Sequence, residues 1–136
     1  MIEYSTTNIG QIGELIAEKY LLKKRYKILD RNYSLISNIT HKKIGEIDLI
    51  AKKERTYIFI EVKAKRKSRG VGIPLTSKIN QKKKNRLKIM AEFWLKNNKL
   101  SLTTERQIDI ITIVIDLNNK KALIKHYENA VEDKQY

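Results

Sequence analysis

The stretch GEIDLIAKKERTYIFIEVKAK, from Gly45 to Lys65, decides the fold, because it reads as two apolar strands joined by a charged turn. Each strand carries carboxylates at positions where a sheet normally buries apolar side chains. Side chains alternate between the two faces of a strand, so the length of the turn fixes which side chains meet. An even turn, such as the four residues Lys53 to Thr56, places Asp48 directly opposite Glu61.

Strict alternation also predicts which side chains of this hairpin share a face. A strand that is apolar on one face and partly apolar on the other is typical of an α/β sheet covered on both sides. The first strand places Glu46, Asp48 and Ile50 on one face and Ile47, Leu49 and Ala51 on the other, and the second strand groups Glu61 and Lys63 with Tyr57 and Phe59.

The two facing carboxylates, Asp48 and Glu61, need a compensating charge, because like charges directly opposite each other destabilise a sheet. Hard oxygen ligands at this spacing favour Mg²⁺ or Mn²⁺, and such an ion can lower the pKa of a bound water and polarise a phosphate. Lys63 lies on the same face as Glu61 and can stabilise developing negative charge. An alternative without metal stays open: Glu61 pairs with a lysine, and Asp48 faces water on an edge strand.

The flanking sequence predicts helices and further strands. The second helix makes a right-handed crossover, which sets the QIDIITIVID strand parallel to the IFIEVK strand. The chain is therefore predicted to be one α/β domain, residues 1–136, with a central mixed sheet flanked by helices in the order αβββαβ(β). Its core is predicted over about 8–130, and a flexible tail over 131–136. The elements are a helix from about Asn8 to Lys24, a strand over Tyr26–Tyr33, a turn or irregular hairpin over Ser34–Lys43, a helix after Thr76 or Ser77, and strands over QIDIITIVID and KKALIKHY.

One carboxylate, Glu14, lies inside the first predicted helix. It shares a helix face with Gly10, Ala17 and Leu21. A face of small residues lets a helix pack closely, so the pattern directs Glu14 toward a neighbouring element. A solvent-exposed glutamate is the alternative interpretation.

The composition limits the classes of site and partner. The chain of 136 residues has no Cys and two His, which excludes disulfides, thiolate metal sites and cysteine nucleophiles and leaves oxygen as the metal ligand. A formal net charge of +14 indicates a polyanionic partner, most commonly nucleic acid, while a solvated lysine-rich surface produced by codon bias stays open. No signal-peptide pattern or membrane span is visible, so we expect a cytoplasmic protein without membrane contact.

Seven stretches of the chain follow one another in a characteristic order, namely GQIGELIAEKYL, ILDRNY, GEIDLIA, FIEVKAK, NQKKKNRLKIMAEFWL, QIDIITIVI and KHYENA. Through these stretches the chain resembles the YraN-type bacterial family of predicted endonucleases from about Asn8 to Ala130. The resemblance implies a restriction-endonuclease-like fold of the PD-(D/E)XK nuclease superfamily, in the branch near archaeal Holliday junction resolvases. It also implies a metal-dependent endonuclease acting on DNA, with branched or flapped structures as one form of substrate.

The resemblance assigns roles residue by residue. It implies that Asp48 and Glu61 are ligands of Mg²⁺ or Mn²⁺, with the carbonyl of Val62 as a third protein oxygen. Lys63 is similar to the catalytic lysine of these nucleases, and Glu14 to the helix carboxylate that completes their acidic cluster.

Basic side chains follow the second hairpin strand and crowd the start of the second helix. Cations at a helix N-terminus oppose the helix dipole, and a phosphate partner would relieve this. DNA is the expected partner, with RNA left open, and a homodimer is one alternative for the assembly. The competing function is a non-catalytic nucleic-acid-binding or scaffold protein that retains the fold. The candidate nucleic-acid contacts are Lys65, Arg66, Lys67, Arg69, Lys78, Lys82, Lys83, Lys84 and Arg86.

Overall fold

The computed structural model of the chain describes residues 8–68, 72 and 74–131. The strands form one five-stranded sheet in the order β1-β2-β3-β4-β5. The predicted fold class is therefore confirmed as a mixed α/β sheet with two helices in the order αβββαββ. The elements are α1 (Ile9–Lys23), β1 (Lys27–Ile36), β2 (Lys43–Lys53), β3 (Thr56–Arg66), a short 3-10 helix η1 (Leu75–Lys78), α2 (Gln81–Asn97), β4 (Arg106–Asp116) and β5 (Lys121–Val131).

The connections follow the predicted topology. Strands β1, β2 and β3 form an antiparallel meander, and the crossover through α2 sets β4 parallel to β3. The β2–β3 turn has the predicted parity but is shorter than four residues. Lys53 pairs directly with Thr56, and only Glu54 and Arg55 lie between them. Glu54 adopts φ 55°, the left-handed conformation that a two-residue hairpin turn requires.

The sheet is covered on both faces, as the apolar strands predict. Helix α1 packs on one face through Ala17 and Leu21, against residues such as Ile60 of β3. Helix α2 packs on the other face through Met90 and Trp94. Each fully buried aliphatic side chain contributes about 1.5–3 kcal/mol relative to an exposed one. The two helices thus hold β3 at the centre of the fold.

The predicted boundaries differ from the observed ones chiefly at β1, at α2 and at β5, which continues past the predicted KKALIKHY strand to Val131. Strand β1 continues to Ile36, so the polar stretch expected to be a turn begins as strand. Helix α2 begins at Gln81 rather than after Thr76 or Ser77, where the chain forms η1 instead. The reason is Ile79, which is buried in the α2 core, and Asn80, whose side chain accepts the Lys83 N–H at 2.9 Å and caps the helix.

The predicted nucleic-acid contact of Arg69 lies outside the described part of the chain. The flexible tail predicted over 131–136 also lies outside it, except for Val131, which is the last residue of β5 and is buried. Among residues 8–68, 72 and 74–131, the helices are all too short or too polar to cross a membrane.

Candidate active site

Strands β2 and β3 separate at Asp48 and Glu61, and we call this point of the sheet the fork. Pairing between β2 and β3 ends at Leu49 and Ile60, although β2 stays paired with β1 up to Lys43. The Val62 N–H, which would otherwise continue the ladder, donates to Asp48 Oδ2 at 2.7 Å. An extended residue directs its C=O to the same neighbouring strand as its N–H, so the Val62 carbonyl also faces the fork. A carboxylate therefore takes the place of strand pairing at this point.

The predicted alternation of β2 is wrong at the fork. Ile47 and Ile50 both pack in the α2 core, whereas Leu49 packs in the α1 core. Strict alternation is thus interrupted at Asp48. The neighbouring strand is irregular at the same level, because Asn32, opposite Asp48 in the β1–β2 register, has φ 50°. The break lets the Asp48 carboxylate lie between the strands rather than on one face.

Glu61 is held by two lysines. Its side chain is buried, with 4% of the residue exposed. Glu61 Oε1 lies 2.8 Å from Lys83 Nζ and 3.4 Å from Lys63 Nζ. The predicted pairing of Glu61 with a lysine is therefore observed, and it coexists with the acidic cluster. Lys83, expected on a nucleic-acid surface, contacts the site itself.

Sequence reasoning missed this position of Lys83, although a signal was present. Lys83 precedes Leu87 by four residues and therefore belongs to the stripe of α2 that faces the sheet, with Leu87, Met90 and Trp94. The stripe continues the buried face to the N-terminal turn of the helix. A lysine on a buried stripe beside a carboxylate strand is the pattern that indicates a site residue.

Glu14 reaches the fork from the α1 side. The close contact that brings it there is made by Gly13, where an added Cβ would lie 2.5 Å from the Ala64 Cβ. Gly10, the small residue expected to make this approach, has no atom within 4 Å of such a Cβ. Burial raises the pKa of Glu14, the hydrogen bond with Asp48 lowers it, and the nearby Glu46 adds to the rise. The helix carboxylate thus joins the cluster, as the resemblance implies.

The surroundings of Asp48 at the fork strongly raise the pKa of its carboxyl group. Burial, reinforced by the charges of Glu61, Glu14 and Glu46, raises its pKa from 3.8 to about 7, and the Val62 N–H only partly offsets this. An ionised Asp48 is therefore costly unless a cation neutralises it. Such perturbation is common at functional sites.

The two lysines are affected in opposite directions. Burial, together with the adjacent Lys83, lowers the pKa of Lys63. Burial also acts against the charged form of Lys83, but its hydrogen bonds to Glu61 and Lys63 outweigh that effect and raise its pKa. Lys83 therefore keeps its positive charge to a higher pH than Lys63 does.

The donor set fits a hard divalent cation. Oxygens of Asp48 and Glu61, with Glu14 beside them and the Val62 carbonyl directed to the same fork, are ligands that Mg²⁺ and Mn²⁺ prefer. The mutual repulsion of these carboxylates is the feature that such an ion would relieve. The site opens into a cavity of about 360 Å³ between the start of β2 and the start of α2, where Arg86 also lines the wall.

The other predicted nucleic-acid contacts in the described part of the chain, apart from Arg86, do not line this cavity, and they differ in exposure. Lys65 and Lys84 are half-buried, and Lys67 lies 3.7 Å from Asp116. The exposed ones are Arg66, Lys67, Lys78, Lys82 and Arg86.

A second group of titratable side chains lies on the α1 face, between α1 and β5. His126 Nε2 lies 2.7 Å from Asp109 Oδ2, and His126 Nδ1 lies 3.0 Å from the Tyr20 hydroxyl. Asp109, His126 and Glu128 offer ligand atoms within 4.8 Å of one another. The Tyr26 hydroxyl donates to Glu128 at 3.3 Å. Each ligand residue thus already has a protein partner, and the group ties α1 to the sheet.

Comparisons with known proteins place the chain among relatives that it covers over most of their length. A family model described as "Uncharacterised protein family UPF0102" matches residues 13–113. A UPF0102 protein of Fervidobacterium nodosum is 38% identical over 125 residues, covering 88% of this chain and 78% of that protein. A UPF0102 protein of Caldicellulosiruptor bescii is 34% identical over 122 residues, covering 90% and 95%.

The chain is also similar to the crystal structure of SSO0001, at 21% identity and a TM-score of 0.33. That similarity covers 88% of this chain and 48% of SSO0001, so the chain spans about half of that protein. A similarity at this level supports no argument about function.

Proposed function

The chain belongs to the uncharacterised protein family UPF0102, and from this premise and the geometry of the fork we propose that it is a divalent-metal-dependent endonuclease that hydrolyses phosphodiester bonds in DNA. The family description names no activity, so the proposal depends on the site. One observation carries it: Asp48, Glu61 and Lys63 converge where two central strands separate, beside an open cavity.

The residues at the fork would have different roles in such a reaction. Asp48 and Glu61 would hold the cation from two different strands, and the Val62 N–H fixes the orientation of the Asp48 carboxylate. When bound, a divalent cation supplies a water of lowered pKa and offsets negative charge on the scissile phosphate. Lys63, 3.4 Å from Glu61, stabilises the charge that develops on the phosphate oxygens in the transition state.

The electrostatics of the surface support a nucleic-acid substrate. The net charge of +14 attracts a polyanion, and the wall of the cavity includes Arg86 at the start of α2. The first turn of α2 has no acidic residue, so the helix N-terminus and its lysines all attract phosphate. Lys82 and Lys84 extend the same cationic surface beyond the cavity.

A cleavage assay with a defined set of substrates tests the proposal. Purified protein is incubated with labelled single-stranded, duplex, flapped and four-way DNA, in Mg²⁺, Mn²⁺ or EDTA. We expect metal-dependent cleavage that Asp48→Ala abolishes while DNA binding persists. Asp116→Ala is the matched control, because Asp116 is a half-buried aspartate at the end of β4 that pairs with Lys67 and does not line the cavity.

The assay also separates the proposal from the competing function. If wild-type protein binds DNA but cuts no substrate more than Asp48→Ala does, with any of these metals, the chain is a binding or scaffold protein. A thermal melt tests the metal site independently of cleavage, because a ligand that binds only the folded state stabilises it. Mn²⁺ should raise the melting temperature of the wild type and of Asp116→Ala, and the shift should disappear in Asp48→Asn with Glu61→Gln.

A further inference from the structure

A second groove lies on the same face of the sheet as Glu61 and Lys63, towards β5. Its volume is about 210 Å³. Its floor is formed by β4 and β5, and one wall by Pro74 with Leu75 and Thr76 of η1. The residues that line it are Lys65, Pro74, Leu75, Thr76, Thr112, Val114, Leu123, Lys125 and Tyr127.

The strand register makes this groove continuous with the candidate active site. Lys63 pairs with Thr112 in β4, and Thr112 pairs with Lys125 in β5, so one row of side chains crosses three strands. Neighbouring strands are about 4.8 Å apart, which places the β5 end of the row about 10 Å from Lys63. Lys65 stands two residues beyond Lys63 on the same face of β3. A polymer leaving the site across the sheet would therefore enter this groove.

The lining combines cations with exposed apolar side chains. Lys65 and Lys125 are its charged members, and no acidic residue is among the described residues that line it. Leu123 is 58% exposed and Tyr127 is 39% exposed, and these two large side chains flank Lys125 on one face of the sheet. Lysines bind phosphates, and an exposed tyrosine ring on a sheet offers a surface on which an unpaired base can stack.

We propose that this groove binds an unpaired nucleic-acid strand that continues from the candidate active site, so that the substrate is a nucleic acid with a single-stranded arm. A duplex keeps its bases stacked inside, so it would use the lysines but leave Leu123 and Tyr127 exposed. The volume of about 210 Å³ is below the range of about 300–1,000 Å³ typical of small-molecule sites and suits a base or two of an extended strand. The continuation from a cleavage site depends on the proposed nuclease function, whereas strand binding itself does not.

Binding in EDTA tests the groove without cleavage. The probes are a fluorescein-labelled oligodeoxythymidine and a duplex of equal length, measured by anisotropy. Lys125→Ala with Tyr127→Ala should weaken oligodeoxythymidine binding about 10-fold or more, since loss of one stacked base costs about 1–3 kcal/mol, and should change duplex binding much less. The matched control is Phe93→Ala with Lys96→Ala, an exposed aromatic and an exposed lysine on α2 that line neither cavity.

Tyr127→Phe keeps the ring and should bind the oligonucleotide like the wild type, while thermal melts verify that each variant is folded. The inference is overturned if the double variant binds oligodeoxythymidine as tightly as the control, if it loses duplex binding equally, or if wild type binds neither probe. Groove-dependent binding by a wild type that cuts nothing would uphold the groove and refute the nuclease. Metal-dependent cleavage, together with strand binding that is unchanged in the double variant, would uphold the nuclease and refute the groove.

Discussion

Replacing Asp48 by asparagine should stabilise the metal-free protein at pH 8. In the wild type, burial and the neighbouring carboxylates raise the Asp48 pKa from 3.8 to about 7. A group whose pKa is raised on folding contributes stability that is fully present below its unfolded pKa and is lost as the pH rises through its folded pKa. At pH 8 the folded protein therefore bears the full cost of an ionised Asp48. Asparagine keeps the oxygen that accepts the Val62 N–H and removes the charge.

The pKa values set the size of the effect. The difference between 3.8 and about 7 is about three pH units, and each unit corresponds to about 1.4 kcal/mol. The ceiling is therefore about 4 kcal/mol, and relaxation of the fork lowers the expected gain to roughly 2–4 kcal/mol. The gain should be nearly absent at pH 4, where Asp48 of the folded wild type is protonated. It should develop mainly between pH 4 and pH 7.

Urea unfolding in EDTA, monitored by circular dichroism from pH 4 to pH 8, measures this gain as a shift of the midpoint at constant slope. Asp116→Asn is the control with the opposite expectation, because hydrogen bonds from Asn119 lower the pKa of Asp116. The same Asp48→Asn protein should lose the stabilisation by Mn²⁺. If Asp48→Asn is less stable than wild type at pH 8, or its gain does not change with pH, the carboxylates of the fork do not repel one another as described.

Three further changes test the fork. Lys63→Met should lower the single-turnover cleavage rate about 100-fold or more, because the Lys63 ammonium acts on the transition state. The Mn²⁺-induced shift of the melting temperature should stay unchanged. Near-normal cleavage by this variant would show that Lys63 has a structural role. Lys83→Met should tighten Mn²⁺ binding in a melting titration, because the Lys83 ammonium, 2.8 Å from Glu61 Oε1, no longer competes for that oxygen. Lys82→Met, on the exposed side of the helix, should leave the affinity unchanged. Equal Mn²⁺ affinities of the two variants would contradict the competition. Gly13→Ala should cost about 1–3 kcal/mol in urea unfolding, because its Cβ meets β3 at 2.5 Å, and an unaffected protein would show that α1 can shift freely.

The elements that local pattern determines were predictable. The β2–β3 hairpin follows from apolar runs with a charged turn between them, and a turn of two or four residues centred on Glu54 and Arg55 brings Asp48 and Glu61 to the same level. The parallel placement of β4 follows from the helical connection through α2, because parallel neighbours need a long crossover, usually an α-helix. The meeting of Asp48 and Glu61 was predictable because strand register fixes it, whereas the place of Glu14 on α1 was implied by the resemblance.

The features that depend on distant contacts were not predictable. The interruption of alternation at Asp48 requires β2 to leave β3 while it stays paired with β1, and no local pattern specifies that separation. Gly13 rather than Gly10 makes the close approach because the rotation of α1 is set by its buried apolar residues. Lys83 was assigned to the surface by its charge, although its place on the buried stripe of α2 determines its contact with Glu61.

The fork also has a mechanical consequence. Pairing between β2 and β3 runs only from Leu49–Ile60 to Lys53–Thr56, and this short ladder joins a two-stranded part of the sheet, β1 with β2, to a three-stranded part, β3 with β4 and β5. Asp48 lies on the first part and Glu61 on the second, both just beyond the end of the ladder. A change in the angle between the two parts would therefore change the separation of the two carboxylates. The helices α1 and α2 pack across both parts and resist such a change, so the stiffness of this packing would limit the radius of the ion that the two carboxylates can hold.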